Sequence, residues 1–213
     1  MRMSSQTTSP EPRIPQRARG RARVAALLAA AGEAFADRGY DATTMTGIAA
    51  RAGASIGSLY QFFPTKELLA DALVADYAEA LHGRLAAIEA EAHGWSADEL
   101  GRRLFSLLIR FRADHPAFAP LVEMPGTQQR GDPVRAHLRR QILGILRRLA
   151  PHLPDARLEP MAVVVLQVMK AAVALNAETG LPVRDAALDE LSAMLRHYLA
   201  THLDVAATTP AEL

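Results

Sequence analysis

Residues 43–66 read TTMTGIAARAGASIGSLYQFFPTK, and this stretch decides the fold. Thr43-Thr44 offers an N-cap for a short helix that ends near Ala52-Gly53. Ser55 caps a second short helix running to about Phe62, before Pro64. Gly53 can take a positive φ in the turn between them. Ala49, four residues earlier, is small enough to let the helices cross closely. Ile48, Ala52, Leu59 and Phe62 supply a side for burial. The other face of 55–61 (Ser55, Ile56, Gly57, Ser58, Tyr60 and Gln61) is left for DNA. Two short helices joined by a tight glycine turn form a DNA-reading geometry, the plain alternative being an ordinary pair of core helices.

Working outward, helical periodicity continues on both sides. Val24, Leu27, Leu28, Ala31 and Phe35 mark a preceding helix that Gly39 stops. Thr65 caps a long helix carrying Leu69, Leu73, Tyr77, Leu81, Leu85 and Ile88 on one stripe. Ser96-Ala97-Asp98-Glu99 reads as a capping box opening a helix over 97–113. A short helix is expected over 117–123. Asp132-Pro133 is expected to open a helix to about Ala150, and Glu159-Pro160 an apolar one ended by Gly180. A last helix spans about 184–203. The fold class is therefore all-α, with about nine helices. Residues 1–16, with three prolines, read as a disordered basic tail, 17–64 as a helix-turn-helix domain, and 65–213 as a helical domain for effector binding and dimerisation.

The chain of 213 residues has a net charge of only +1, but the charge is unevenly spread. Residues 1–66 hold 9 Lys+Arg against 4 Asp+Glu, and the remainder holds 15 against 19. A basic head on a neutral-to-acidic body suits an anionic partner. Arg17, Arg19, Arg21 and Arg23, at alternating positions ahead of the first helix, are expected to form an arm that follows phosphates or enters a minor groove. The absence of cysteine excludes disulfide scaffolds and thiolate metal sites. No histidine pair has the spacing of a helical zinc site, and no phosphate loop or nucleophile elbow is present. No catalytic residue, metal or cofactor is expected. Met161–Ala177 is interrupted by Gln167, Lys170 and Asn176 and reads as a buried helix, with no membrane partner and a cytoplasmic location expected.

Residues 20–73 resemble the DNA-binding domain of the TetR family of transcriptional regulators. The matching run is Gly39-Tyr40-Asp41-Ala42-Thr43-Thr44-Met45, then Ile48 to Ser55, then Gly57-Ser58-Leu59-Tyr60-Gln61-Phe62-Phe63-Pro64-Thr65-Lys66-Glu67-Leu68-Leu69. The resemblance implies that Thr44, Tyr60 and Lys66 meet phosphates. Thr46, Ser55, Ser58 and Gln61 become candidates for base edges, while Ile56, apolar at an exposed recognition position and a departure from the family pattern, either touches a thymine methyl or packs. Gly47 and Phe62 depart from the family pattern, which removes side chains available for polar DNA contacts.

The resemblance also implies a homodimer on double-stranded operator DNA, released by an unidentified small apolar or amphipathic effector. Val164, Val165, Val168, Leu175, Leu188, Leu191, Leu195 and Tyr198 would form the dimer interface. Phe105, Leu108, Phe111, Phe118, Leu146 and Met169 would line an effector cavity, with His115, Gln167 and Asn176 orienting the ligand. An activator of the same fold and a helical ligand-binding or adaptor protein are the competing readings.

Overall fold

The computed structural model describes residues 18–123, 128–178 and 180–203. Among these, nine helices and no strand are present: α1 Ala18–Ala42, α2 Met45–Arg51, α3 Ile56–Phe62, α4 Lys66–Glu91, α5 Ala97–Asp114, α6 Phe118–Glu123, α7 Gln128–Leu149, α8 Asp155–Ala177 and α9 Arg184–Leu203. The expected tail over 1–16, together with Arg17, lies outside the described residues.

The chain packs as two units, Met1–Tyr77 with Pro116–Met124, and Ala78–His115 with Pro125–Leu213. Packing thus divides it inside α4 rather than at the 64/65 boundary expected for the domains. One stripe of α4 stays apolar from Leu69 to Ile88, so nothing in its periodicity marks where it passes from one unit to the other.

In the first unit, Leu27, Leu28, Ala31 and Phe35 of α1 are buried with Ile48, Leu59, Leu69 and Leu73. Gly39 interrupts α1 with φ 76° and ψ 168°, a conformation that favours glycine. The chain then turns, and the buried Thr43 hydroxyl meets the carbonyls of Gly39 at 2.7 Å and Ala34 at 3.0 Å. α4 approaches α1 closely at Gly32, where a Cβ would lie 2.1 Å from the Tyr77 hydroxyl. Burial pushes the Tyr77 phenol up, with smaller help from Asp76 and Glu33.

In the second unit α5 packs on α9 and α8, and α8 also packs on α7 and α9. The core holds Leu81, Leu85, Leu100, Leu104, Phe111, Ile145, Leu158, Val165 and Leu199. Ser96 caps α5 by accepting from the Glu99 amide at 3.1 Å, while the Glu99 carboxylate binds the Arg103 and Arg102 guanidinium groups. At Gly101 a Cβ would stand 2.8 Å from Arg196 Cγ and 3.1 Å from its Cα, so α5 and α9 nearly touch there.

Two helix starts differ from expectation. α7 begins at Gln128 and α8 at Asp155, so Pro133 and Pro160 lie inside their helices instead of opening them. Each proline removes one N–H and crowds the carbonyl four residues back, which here belongs to the second residue of each helix. For α8 the added turn has a clear support. The Asp155 carboxylate sits at the positive helix end and takes both Arg147 Nε and an Arg147 terminal nitrogen at 2.7 Å. The longer α8 is, by length and composition, apolar enough to cross a membrane. Leu158, Met161, Val165, Leu166 and Met169 bury one side of it within the second unit.

Three helical glycines should respond to alanine with opposite signs. Gly32→Ala and Gly101→Ala are expected to lower stability by about 1–3 kcal/mol through overpacking. Gly83→Ala, with nothing within 4 Å of the added carbon, is expected to raise it by up to ~1 kcal/mol. Thermal or urea unfolding of the three variants measures this.

Candidate nucleic-acid interface

The site is built on two capped helices and the turn between them. Thr44 accepts from the Gly47 amide at 3.1 Å and starts α2. Glycine at 47 fits this cap, because a Cβ there would press on the Thr44 hydroxyl at 3.2 Å. Ser55 accepts from the Ser58 amide at 3.2 Å and starts α3. Between them Gly53 has φ 59°. The Gly53 amide reaches the Ala50 carbonyl at 3.1 Å, and the Ala54 amide reaches the Ala49 carbonyl at 2.9 Å. This is a complete Schellman closure, which satisfies the last carbonyls of α2 while reversing the chain within three residues.

The turn places Ile48, Ala49 and Leu59 inward, each almost wholly buried. Phe63 joins them, whereas Phe62, expected in that set, is half-buried and Phe63 is 3% exposed. The last turn of α3 gives way to extended backbone at Phe63, and this swings the second ring into the core. The opposite face of α3 is open: Ser55, Gly57 and Gln61 are exposed, Ser58 is half-buried, Ile56 is 38% and Tyr60 49% exposed. Thr44 and Thr46 are exposed beside it. Arg51, in the last turn of α2, is tied back to α1 through Asp37 at 2.7 Å and Glu33 at 3.4 Å.

Arg19, Arg21 and Arg23 are exposed but do not form an extended arm. They lie in the first turns of α1, where alanine and arginine are both strong helix formers. Their alternating spacing therefore puts Arg19 and Arg23 on one side and Arg21 on another.

Lys66 has a different environment from the one expected. Its ammonium donates to the carbonyls of Tyr40 at 2.9 Å, Thr43 at 3.1 Å and Asp41 at 3.3 Å, and lies 4.4 Å from the Tyr40 ring centre. The Tyr40 hydroxyl donates to Glu67 at 3.1 Å. The Glu67 carboxyl is held below its ordinary range by its own backbone amide, then by the Thr65 and Tyr40 hydroxyls and Lys66. No spacing rule links residues 40 and 66; only the fold brings them together.

The nine residues expected around an effector fall in both units. Phe118 packs edge-on to Tyr77 in the first unit, with ring centres 6.1 Å apart. In the second unit Leu146 and Met169 are closed into the core, Phe111 is buried beneath Arg84 and against His115, Phe105, Leu108 and Asn176 are half-buried, and Gln167 is exposed. An open groove of about 640 Å³ lies elsewhere in that unit, walled by Arg84, Ile88, Arg102, Arg103, Ser106, Arg110 and Ser192 among others. Arg102, Arg103 and Arg110 lie on the exposed side of α5, and Arg84 on α4. A second polar cluster that the sequence reading did not single out joins α4 to α7: His82 Nδ1 and His137 Nε2 are 2.9 Å apart, and Gln141 donates to the His82 carbonyl at 3.3 Å.

Of the residues expected at a dimer interface, Val165 and Leu195 are fully buried within the chain and are not available for one. Both helices must also close their own unit, and these two side chains point to that task. Val164, Val168 and Leu175 remain open or half-open on α8, as do Leu188, Leu191 and Tyr198 on α9. Val163 at 41% and Met194 at 60% exposure, not expected, widen the same two stripes.

The chain matches the family described as bacterial regulatory proteins, tetR family, over residues 27–73, and the tetracyclin repressor-like C-terminal domain over 96–199. A curated relative, the HTH-type transcriptional repressor KstR2 of Mycolicibacterium smegmatis, is 45% identical over 58 residues, which is 27% of this chain and 28% of that protein. The match therefore spans little more than a quarter of that relative's length. Among solved structures, a TetR-like transcriptional regulator from Rhodococcus sp. RHA1 is 26% identical with a TM-score of 0.62, covering 88% of this chain and 99% of the other. A TetR-family regulator from Streptomyces coelicolor has the same TM-score at 24% identity, covering 85% and 99%. With the capped helix-turn-helix and the all-helical body both matched, the chain belongs to the TetR family of bacterial transcriptional regulators.

Proposed function

We propose that the protein is a cytoplasmic, homodimeric repressor that binds a palindromic operator through α3 and is released by a small apolar or amphipathic effector held in its second unit. The observation that carries this reading is the open face of α3. Its buried side is fully used by Leu59, while a continuous row of small, polar and aromatic groups is left without a packing role. Phosphates are met by Thr44 and Tyr60, and by Arg19 and Arg23 from the first turns of α1. Base edges are met by Thr46, Ser55, Ser58 and Gln61, with Ile56 against a thymine methyl. The curated repressor similar to this chain matches it over a segment of helix-turn-helix length, which supports the DNA-binding part of the reading. The open stripes of α8 and α9, paired across a two-fold axis, supply the dimer. Half-sites are then expected about 34 Å apart or at a multiple of that distance.

Selection of duplexes from a random pool by the purified protein tests the reading; a helical adaptor would retain no duplex in a salt-sensitive way. Tyr60→Phe is expected to weaken all duplexes alike, whereas Gln61→Ala changes preference at one base pair per half-site by ~1–3 kcal/mol. An unchanged selected motif for Gln61→Ala would remove that residue from base reading.

Gly57 separates fold from function. It is helical, exposed and has nothing within 4 Å of an added Cβ, so no packing demand explains glycine there. Gly57→Ala is expected to raise the unfolding free energy by up to ~1 kcal/mol and to weaken operator binding by close approach of the DNA backbone. Calorimetric melting and fluorescence anisotropy on the same variant measure the two effects. For the dimer, Val164→Glu with Met194→Glu is expected to give a helical monomer in sedimentation and a large loss of operator affinity.

A further inference from the structure

We infer that Lys66 is a positioning residue that latches α4 to the end of α1, and not a phosphate ligand. This inference rests on the DNA-binding reading above. An ammonium has three N–H donors and no more. All three of Lys66 are directed at carbonyls, at 2.9, 3.1 and 3.3 Å, and its cationic head also sits 4.4 Å from the Tyr40 ring. A phosphate oxygen would have to displace one of these bonds.

The three acceptors are not an arbitrary set. Tyr40, Asp41 and Thr43 form the turn that follows the break at Gly39, where carbonyls lose their helical partners. A cation there faces the negative end of α1. This offsets the unfavourable position of a lysine in the first turn of its own helix, α4. The neighbouring Glu67 takes the Tyr40 hydroxyl, so two consecutive residues of α4 grip one tyrosine from both ends.

The consequence for DNA reading follows from the next residue. Thr43, whose carbonyl Lys66 holds, directly precedes Thr44, the N-cap of α2. Lys66 therefore fixes where α2 begins relative to α4, and through the Gly53 turn where α3 points. A planar guanidinium cannot aim three donors at three converging carbonyls, so arginine does not replace lysine here although it keeps the charge.

The test uses the full chain, a duplex selected by the wild-type protein, and an unrelated duplex of equal length. Lys66→Met, Lys66→Arg and Tyr40→Phe are compared. Without DNA, both Lys66 variants are expected to melt at lower temperature. With DNA, well below the melting point, they are expected to lose about tenfold in the ratio of selected to unrelated duplex affinity, the scale of one badly met base pair. The slope of log affinity against log salt on the unrelated duplex stays as in the wild type, because no counterion-releasing contact is removed.

A phosphate ligand gives the opposite pattern: unchanged melting without DNA, full binding by Lys66→Arg, and a slope reduced by about one unit per subunit in Lys66→Met. That pattern overturns the inference. Tyr40→Phe leaves the charge of Lys66 in place and removes the hydroxyl that bonds Glu67. It is expected to show a smaller loss of both melting temperature and discrimination, and no change in either overturns the latch even if the Lys66 variants fail to fold. A wild-type protein that binds no duplex would defeat the DNA-binding reading, while the melting comparison would still decide whether Lys66 holds α1.

Discussion

The left-handed turn at Gly53 is the constraint on which the interface depends. With φ at 59°, the Gly53 and Ala54 amides close onto the carbonyls of Ala50 and Ala49, and α2 ends with its polar groups satisfied. The chain leaves in a direction that brings Leu59 onto Ile48 and Ala49, and their burial holds the pair together. A side chain at 53 would add roughly 1–2 kcal/mol of backbone strain at the point where the geometry has least slack. Short helices of this length do not persist alone, so the turn and the shared apolar side must act together.

Around that turn the first unit sets positions by close contacts and by polar groups that meet carbonyls, with the exposed Arg51 pairs to Asp37 and Glu33 beside them. Gly32 lets the Tyr77 hydroxyl rest against α1, the buried Thr43 hydroxyl meets two carbonyls, and Lys66 meets three more. The ion pairs of the second unit, such as Arg84–Asp114 and Arg102–Asp98, are mostly solvent-exposed and are each worth at most about 1 kcal/mol. They shape a groove lined by guanidinium groups more than they hold the helices. The apolar sides of α5, α8 and α9 do the holding, with Gly101 allowing the nearest approach.

Much of the helix count was legible in the chain because caps and breakers act locally. Thr44, Ser55, Thr65 and Ser96 each accept from an amide three residues on, and Gly39 and Gly180 take positive φ. Reading failed where a local signal has two meanings. A proline after an acidic residue marks a helix start in Asp132-Pro133 and Glu159-Pro160 only if nothing upstream favours an earlier one; the Arg147–Asp155 pair, from a neighbouring helix, decides otherwise for α8. Alternating arginines mean an extended arm or the two sides of a helix, and α1 extends far enough to make them the latter.

Sequence alone determined the all-helical class, the helix-turn-helix and the face of α3 that stays open, because each depends on residues within one or two turns of one another. Tertiary structure decided which apolar side chains of α8 and α9 close the second unit and which stay outward, since Val164 and Val165 look alike in the chain and differ only in what lies opposite. It also decided the partners of Lys66, because the three carbonyls are separated from it by more than twenty residues and converge only when α1 and α4 pack.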